Sequence, residues 1–152
     1  MKKAFLNFKA FILSQKSKTP NEIGKILLRE AIQISSAESC TGGLISSRLT
    51  DVSGSSAYVR ANFVTYSNEA KHRILNVSED TLKNYGAVSE ECAKEMAQGL
   101  LQLTKSDIVI CTTGVAGPTG SEAKPVGLMY AACGYNGKIT VKKFELNPAY
   151  TR

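Results

Sequence analysis

An apolar run from Asp107 to Thr113 constrains the fold more than any other feature of the sequence. Its centre, Ile108-Val109-Ile110-Cys111, does not alternate between apolar and polar residues. Such a run is typical of a parallel strand that is buried on both faces. A strand of this kind needs a packed layer on each side, which favours a layered α/β domain.

Helix-like and strand-like segments alternate along the rest of the chain. Residue patterns typical of helices begin after Thr19-Pro20 and at 78, and cover 44–50, 68–75 and 92–103. Patterns typical of strands cover 33–37, 57–66, 126–135 and 138–146. Asn136-Gly137 predicts a type I′ hairpin between the last two strands, which makes the sheet mixed. With 152 residues, 43% of them hydrophobic, the chain has the size of one α/β domain.

The positive charge of the chain is concentrated at its beginning. The net charge is +6, but residues 1–19 contain five lysines and no acid, which leaves a net charge of +1 for the rest. We expect 1–19 to be a basic N-terminal arm, with Phe5, Phe8 and Ile12 at the spacing of a short amphipathic helix. An arm that binds a membrane or nucleic acid is the alternative. Because the chain after residue 19 is nearly neutral, we expect no nucleic-acid partner. Because no apolar run approaches the length of a membrane span, we also expect no membrane partner.

The cysteines do not form a metal-binding pattern. Cys40, Cys92, Cys111 and Cys133 are scattered without a C-x-x-C pair, and His72 is the one histidine. This usage predicts free thiols in a reducing cytoplasm and no metal or other cofactor.

The segment Ser39-Cys40-Thr41-Gly42-Gly43 lies between a predicted strand and a predicted helix. Glycines allow a tight turn there, and N–H groups at a helix start favour an anion. The segment therefore suits a phosphate cradle or an oxyanion hole, although it matches neither common phosphate-loop pattern. A simple helix cap is the alternative.

A second polar segment, Thr65 to Lys71, runs from a strand end into a helix. A serine hydroxyl needs a base to become a nucleophile, and a partly buried lysine can serve as that base. Lys71 lies one turn into the helix, close enough to reach a neighbouring turn. The alternatives are a solvated surface lysine and, for Tyr66, a core aromatic residue.

A glycine-rich loop at 114–120 follows the buried strand. Ligands of open α/β sheets bind beyond the carboxyl ends of the parallel strands. Ser39, Tyr66 and Thr113 all fall at predicted strand ends, so we expect them to converge on one site. Three unrelated turns are the alternative.

Together these segments resemble the CinA C-terminal domain family, which includes nicotinamide-nucleotide amidase. The similarity covers about residues 21–146, in the family's order. The matching segments are Ala37-Glu38-Ser39-Cys40-Thr41-Gly42-Gly43, Leu49-Thr50-Asp51-Val52-Ser53-Gly54-Ser55-Ser56, Val64-Thr65-Tyr66-Ser67-Asn68-Glu69-Ala70-Lys71, Tyr85-Gly86-Ala87-Val88-Ser89-Glu90, Thr113-Gly114-Val115-Ala116-Gly117-Pro118 and Lys124-Pro125-Val126-Gly127.

The resemblance implies a three-layer α/β/α sandwich with a mixed, mostly parallel sheet in one domain, residues 20–152. It also implies an amidase that hydrolyses nicotinamide mononucleotide to nicotinate mononucleotide and ammonia in pyridine-nucleotide recycling, without a metal. We further expect a homo-oligomer. A catalytically weak or inactive nucleotide-binding module of the same fold is the alternative.

The family's site residues carry over position by position. Ser39 would be the nucleophile, Lys71 its general base and Tyr66 a third catalytic residue, with Cys40 as the rival nucleophile. N–H groups near Thr41, Gly42 and Gly43 would hold the oxyanion, and the loop at 114–120 would clamp the ribose phosphate. The residues implied for substrate binding are Thr41, Gly42, Gly43, Ser56, Thr113, Gly114, Gly117 and Arg152.

The end of the sequence departs from the family. Members usually carry a Gly-Asp-Arg stretch and a closing helix after the last strand, whereas this sequence has Leu146-Asn147-Pro148-Ala149-Tyr150-Thr151-Arg152. We therefore expect no closing helix, and Arg152 falls near the position of a family arginine.

Overall fold

A computed structural model describes residues 19–120 and 124–148, so the predicted arm, apart from Thr19, lies outside the described residues. Within them the chain forms five strands, five α-helices and one short 3₁₀ helix. The strands are β1 (Ile34–Glu38), β2 (Val59–Val64), β3 (Ile108–Gly114), β4 (Leu128–Tyr135) and β5 (Lys138–Glu145). The helices are α1 (Pro20–Arg29), α2 (Leu44–Thr50), α3 (Asn68–Leu75), α4 (Glu79–Asn84) and α5 (Glu90–Thr104), and the 3₁₀ helix is Ser55–Ala57.

The five strands form one mixed sheet in the order β2-β1-β3-β4-β5. β1 pairs in parallel with both β2 and β3, whereas β4 is antiparallel to β3 and β5 is antiparallel to β4. Asn136 and Gly137 join the last two strands with φ angles of 51° and 71°. Positive φ at both positions is what a type I′ turn requires, so the predicted hairpin is confirmed.

Two separate hydrophobic clusters cover the two faces of the sheet. Ala37, Val109 and Cys111 pack with buried side chains of α5 on one face. Ile34 and Ile108 pack with side chains of α1 and α2 on the other. Because alternate residues of a strand point to opposite faces, β1 and β3 serve both clusters. The predicted three-layer α/β/α sandwich in a single domain is confirmed.

Serine caps fix where three of the helices, α3, α4 and α5, begin. The Ser67 hydroxyl accepts the Ala70 N–H at 3.0 Å, and the Ser89 hydroxyl accepts the Cys92 N–H at 3.1 Å. A cap of this type stabilises a helix by about 1 kcal/mol. The Ser89 cap places the start of α5 at Glu90.

Close packing between α3 and α5 holds α3 against the sheet. Gly99 of α5 lies so near the end of α3 that an added Cβ would overlap the Leu75 carbonyl oxygen. Leu75 is fully buried in the cluster below α5. This contact fixes the helix that carries Lys71.

The three parallel strands end at one edge of the sheet, which we call the carboxyl edge. Ser39 follows β1, Thr65 follows β2 and Gly114 ends β3. The 3₁₀ helix lies at the opposite edge, because it leads into the first residue of β2. The topology therefore gathers Ser39, Thr65 and Gly114 in one place.

Candidate active site

A pocket of about 340 Å³ opens at the carboxyl edge. Its volume lies in the range of small-molecule sites, about 300–1,000 Å³. Residues from all three parallel strand ends, from α3 and from the 85–88 loop contribute to it. The lining residues are Ser39, Cys40, Tyr66, Asn68, Lys71, Ala87, Val88, Thr113, Gly114, Val115, Ala116, Gly117, Thr119 and Gly120.

Ser39 and Lys71 form the centre of this pocket. Lys71 Nζ lies 3.1 Å from Ser39 Oγ, and it donates hydrogen bonds to the carbonyl oxygens of Thr65 at 3.0 Å and Tyr66 at 3.2 Å. The lysine side chain is 1% exposed, so the alternative of a solvated surface lysine is wrong. A hydroxyl and an amine within hydrogen-bond distance form the geometry of a nucleophile and its base.

Glu38, the last residue of β1, builds the turn that presents Ser39. Its fully buried carboxylate accepts N–H groups of Gly43 at 3.0 Å, Ile45 at 3.1 Å and Ser46 at 2.7 Å, and the Ser46 hydroxyl at 2.5 Å. Burial alone raises the pKa of Glu38, but the hydrogen bonds that it accepts outweigh burial and lower the pKa below its ordinary value. The carboxylate therefore caps α2 as an anion.

Two of the amides predicted to form the anion cradle at the start of α2 are already engaged. The Gly42 N–H donates to the Ser39 carbonyl at 3.1 Å, and the Gly43 N–H donates to Glu38. The Thr41 hydroxyl shares a hydrogen bond of 2.8 Å with Thr112. The prediction that the Gly42 and Gly43 amides are available for an oxyanion is therefore wrong, because a buried carboxylate and a tight turn already use them.

The wall opposite Lys71 is held by hydrogen bonds to the 85–88 loop. The Thr113 hydroxyl donates to the Ala87 carbonyl at 2.7 Å. Lys124 Nζ donates to the carbonyls of Tyr85 at 2.8 Å and Val88 at 2.6 Å. Thr113, Gly114 and Gly117 line the pocket as predicted, and Lys124 supports the wall from outside it.

Tyr66 and Cys40 also line the pocket. Tyr66 is 64% exposed, so the alternative of a core aromatic residue is wrong. Because Tyr66 is exposed and also lines the pocket, its ring lies at the rim of the pocket. Cys40 is 6% exposed beside Ser39 and stays the alternative nucleophile.

Four predicted site residues that the structure describes do not line this pocket: Thr41, Gly42, Gly43 and Ser56. Ser56 lies in the 3₁₀ helix at the opposite edge of the sheet, about 15–20 Å away by the length of one strand. The structure therefore does not bring Ser56 to Ser39 within this chain. Arg152 falls outside the described residues.

Asn68 lines the pocket although no sequence pattern singled it out. It is the first residue of α3 and lies three positions before Lys71. Residues spaced by three share a face of a helix. That spacing is the signal in the sequence that could have placed Asn68 beside the predicted base.

The described lining of the pocket contains no carboxylate. Of the described residues that line it, Lys71 is the one lysine or arginine, and none is Asp or Glu. Among the residues that the structure describes, no group of three His, Cys, Asp or Glu side chains is placed to hold a metal. No helix in the described ranges has the length and apolar character needed to cross a membrane.

The CinA C-terminal domain model matches residues 16–151. This chain belongs to the CinA C-terminal domain family. The CinA domain is 54% identical over 123 residues to a "CinA-like protein" of Chloroherpeton thalassium, a match that covers 80% of this chain. It is also 54% identical over 122 residues to a "putative competence-damage inducible protein" of Caldicellulosiruptor saccharolyticus, again covering 80% of this chain. Each match covers 29% of the relative, so the chain spans about three tenths of the length of these curated relatives.

Solved structures of the same superfamily share the fold of this CinA domain. A competence-damaged protein (CinA) superfamily protein of Klebsiella pneumoniae superposes with a TM-score of 0.81 at 33% identity, covering 84% of this chain and 81% of that one. The competence/damage inducible protein CihA of Agrobacterium tumefaciens superposes with a TM-score of 0.80 at 38% identity, covering 88% and 87%. These matches agree with the five-stranded mixed sheet of the CinA domain.

Proposed function

We propose that this CinA domain is an amidohydrolase that converts nicotinamide mononucleotide to nicotinate mononucleotide and ammonia. The observation that carries the proposal is the buried Lys71 amine 3.1 Å from the Ser39 hydroxyl in an open pocket. Serine activated by an adjacent amine is a known arrangement for acyl transfer.

In this mechanism Lys71 acts as a neutral amine. A neutral amine has two N–H groups and one lone pair. The carbonyls of Thr65 and Tyr66 accept from Lys71 Nζ at 3.0 and 3.2 Å, and in the neutral form the lone pair would accept the proton of Ser39 Oγ, 3.1 Å away. Burial favours the neutral form over the ammonium, which suits a base.

The reaction follows in two halves. Lys71 takes the Ser39 proton while Oγ attacks the carboxamide carbon, and it returns that proton to the departing ammonia. Lys71 then takes a proton from a water molecule, whose oxygen attacks the acyl ester. As the bond to Ser39 Oγ breaks, Lys71 returns that proton to Oγ, and the product acid ionises to the carboxylate by releasing a proton to solvent. Every step uses groups of this chain and one water molecule.

The pocket also suits the rest of the substrate. Tyr66 presents an exposed ring at the rim, where the face of an aromatic ring attracts a cationic pyridinium. With no carboxylate among the described lining residues, the pocket does not repel the phosphate. The glycine-rich loop at 114–120 is the proposed clamp for that phosphate.

Release of ammonia from nicotinamide mononucleotide tests the proposal. We expect Ser39→Ala and Lys71→Ala each to lose at least about 1,000-fold in kcat while they stay folded, because the nucleophile and its base act as one unit. Cys40→Ala should keep turnover within about tenfold, since the thiol takes no part in the proposed steps.

Three outcomes would count against this assignment. A folded wild-type protein that releases no ammonia, but whose Tm rises with the mononucleotide, would favour a binding module. Full activity in Ser39→Ala would remove the serine mechanism, and loss of activity in Cys40→Ala alone would transfer the role to the thiol.

A further inference from the structure

The structure leaves open which group stabilises the negative oxygen of the tetrahedral intermediate. Of the expected donors at the start of α2, the Gly42 N–H is donated to the Ser39 carbonyl and the Gly43 N–H to Glu38. Across the pocket the Val115 N–H is donated to the Leu128 carbonyl at 2.8 Å. An enzyme of this kind gains from a further donor in the pocket, since one such donor contributes roughly 100–1,000-fold to kcat.

Asn68 carries a suitable group. Its side chain lines the same pocket as Ser39 and Lys71, and it makes no hydrogen bond to the residues that the structure describes. Apart from the lysine amine, its carboxamide is the one side-chain N–H donor among the described lining residues. It stays neutral at all pH values, so it can donate without competing for the Ser39 proton.

The backbone places that carboxamide next to the reacting pair. Asn68 and Lys71 are three residues apart on α3, so both side chains lie on one face of the helix. The Ser67 cap and the buried end of α3 at Leu75 fix the helix at both ends. Asn68, the first residue of α3, therefore lines the pocket on the same helix face as Lys71.

We propose that the Asn68 carboxamide donates a hydrogen bond to the oxyanion that forms when Ser39 attacks its substrate. The inference rests on the proposed role of Ser39 as nucleophile but not on the identity of the amide substrate. Asn68 is then a catalytic residue, because it contacts the reacting carbonyl oxygen.

An alkyl fluorophosphonate tests this role without any assumed substrate. Ser39 Oγ forms a bond to phosphorus, the P–F bond breaks, fluoride leaves, and Lys71 takes the serine proton. The phosphoryl oxygen then occupies the position of the oxyanion. We expect labelling of Asn68→Ala and Asn68→Asp to be about 100-fold slower than that of wild type, with Tm little changed.

Asn68→Asp is the sharper of the two variants, because it keeps the shape of the side chain and replaces the donor by an acceptor. Glu69→Gln is the matched control on the same helix, since Glu69 faces Arg73 at 3.0 Å and does not line the pocket. It should label at the wild-type rate.

Labelling of Asn68→Ala at the wild-type rate would overturn the inference, and so would a folded wild type whose Ser39 does not label. If wild type labels rapidly, Asn68→Ala labels slowly and nicotinamide mononucleotide is not hydrolysed, the inference holds and the proposed substrate fails. If the mononucleotide is hydrolysed, Asn68→Ala should lower kcat far more than it changes KM.

Discussion

Glu38 shows how one buried carboxylate organises the residue beside it. The side chain accepts three backbone N–H groups from the start of α2 and one hydroxyl, and it directly precedes Ser39. The turn is therefore complete without a ligand. Ser39 is held in position before any substrate arrives, which reduces the entropy that binding must overcome.

The lowered pKa of Glu38 predicts a specific loss of stability in acid. Because the folded-state pKa lies below the ordinary value of 4.5, the carboxylate contributes stability above that pH, and the contribution is lost as the pH falls through the folded pKa. We expect the free energy of unfolding of wild type, measured with urea, to fall between about pH 6 and about pH 3.

Glu38→Gln is the comparison for that measurement. It should be about 1–3 kcal/mol less stable than wild type near neutral pH, because it exchanges a charged acceptor for a weaker one. It should also lose less stability in acid than wild type does. An equal acid response in the two proteins would contradict the role of Glu38.

At the same scale, the sequence predicted some site residues well and others poorly. Ser39, Tyr66 and Thr113 could be placed together, because the ends of parallel strands meet at one edge. The partners of the Gly42 and Gly43 amides could not be predicted, since they depend on the side-chain conformation of Glu38. The spacing of residues in the sequence does not indicate such a side-chain conformation.

At the scale of elements, the walls of the pocket depend on the connections between helices and strands. The 85–88 loop joins α4 to α5 and is held by Thr113 of β3 and by Lys124. Lys124 lies after the glycine-rich loop, so its ammonium ties two pocket walls together. The structure places the Lys124 ammonium on two carbonyl oxygens of the 85–88 loop.

Replacing Lys124 with methionine should remove the hydrogen bonds that hold the 85–88 loop. We expect Lys124→Met to lower the free energy of unfolding by about 1–3 kcal/mol, because two carbonyls lose a charged donor. Lys83→Met on exposed α4 is the control and should change it by less than about 0.5 kcal/mol. Urea unfolding followed by circular dichroism measures the free energy of unfolding of both variants. Equal values for the two variants would contradict the role of Lys124 in holding the 85–88 loop.

At the scale of the whole molecule, the sequence predicted the layers more fully than the arrangement of the sheet. The runs of apolar residues predicted strands that are covered on both faces, and Asn136-Gly137 predicted the hairpin between the last two strands. The residue patterns gave no strand order, and they missed the antiparallel pairing of β3 with β4. The reason lies in the connection between these strands, which has no helix in its described residues, whereas parallel neighbours need a long crossover.

The contact between Ser39 and Lys71 joins residues 32 positions apart, and it forms only after β1, β2 and α3 have all docked. Chemical reactivity at Ser39 is thus a cooperative property of the folded domain rather than of a local peptide. We expect the rate of fluorophosphonate labelling to fall at the same urea concentration at which circular dichroism reports unfolding.

Labelling that is lost well before the dichroism signal would show instead that the site opens locally in an otherwise folded domain. If the labelling and dichroism midpoints coincide, the reactivity of Ser39 can be used to follow folding of the domain. The return of labelling after dilution from urea would then report when Ser39 and Lys71 come together, a contact between residues 32 positions apart that no single helix or hairpin contains.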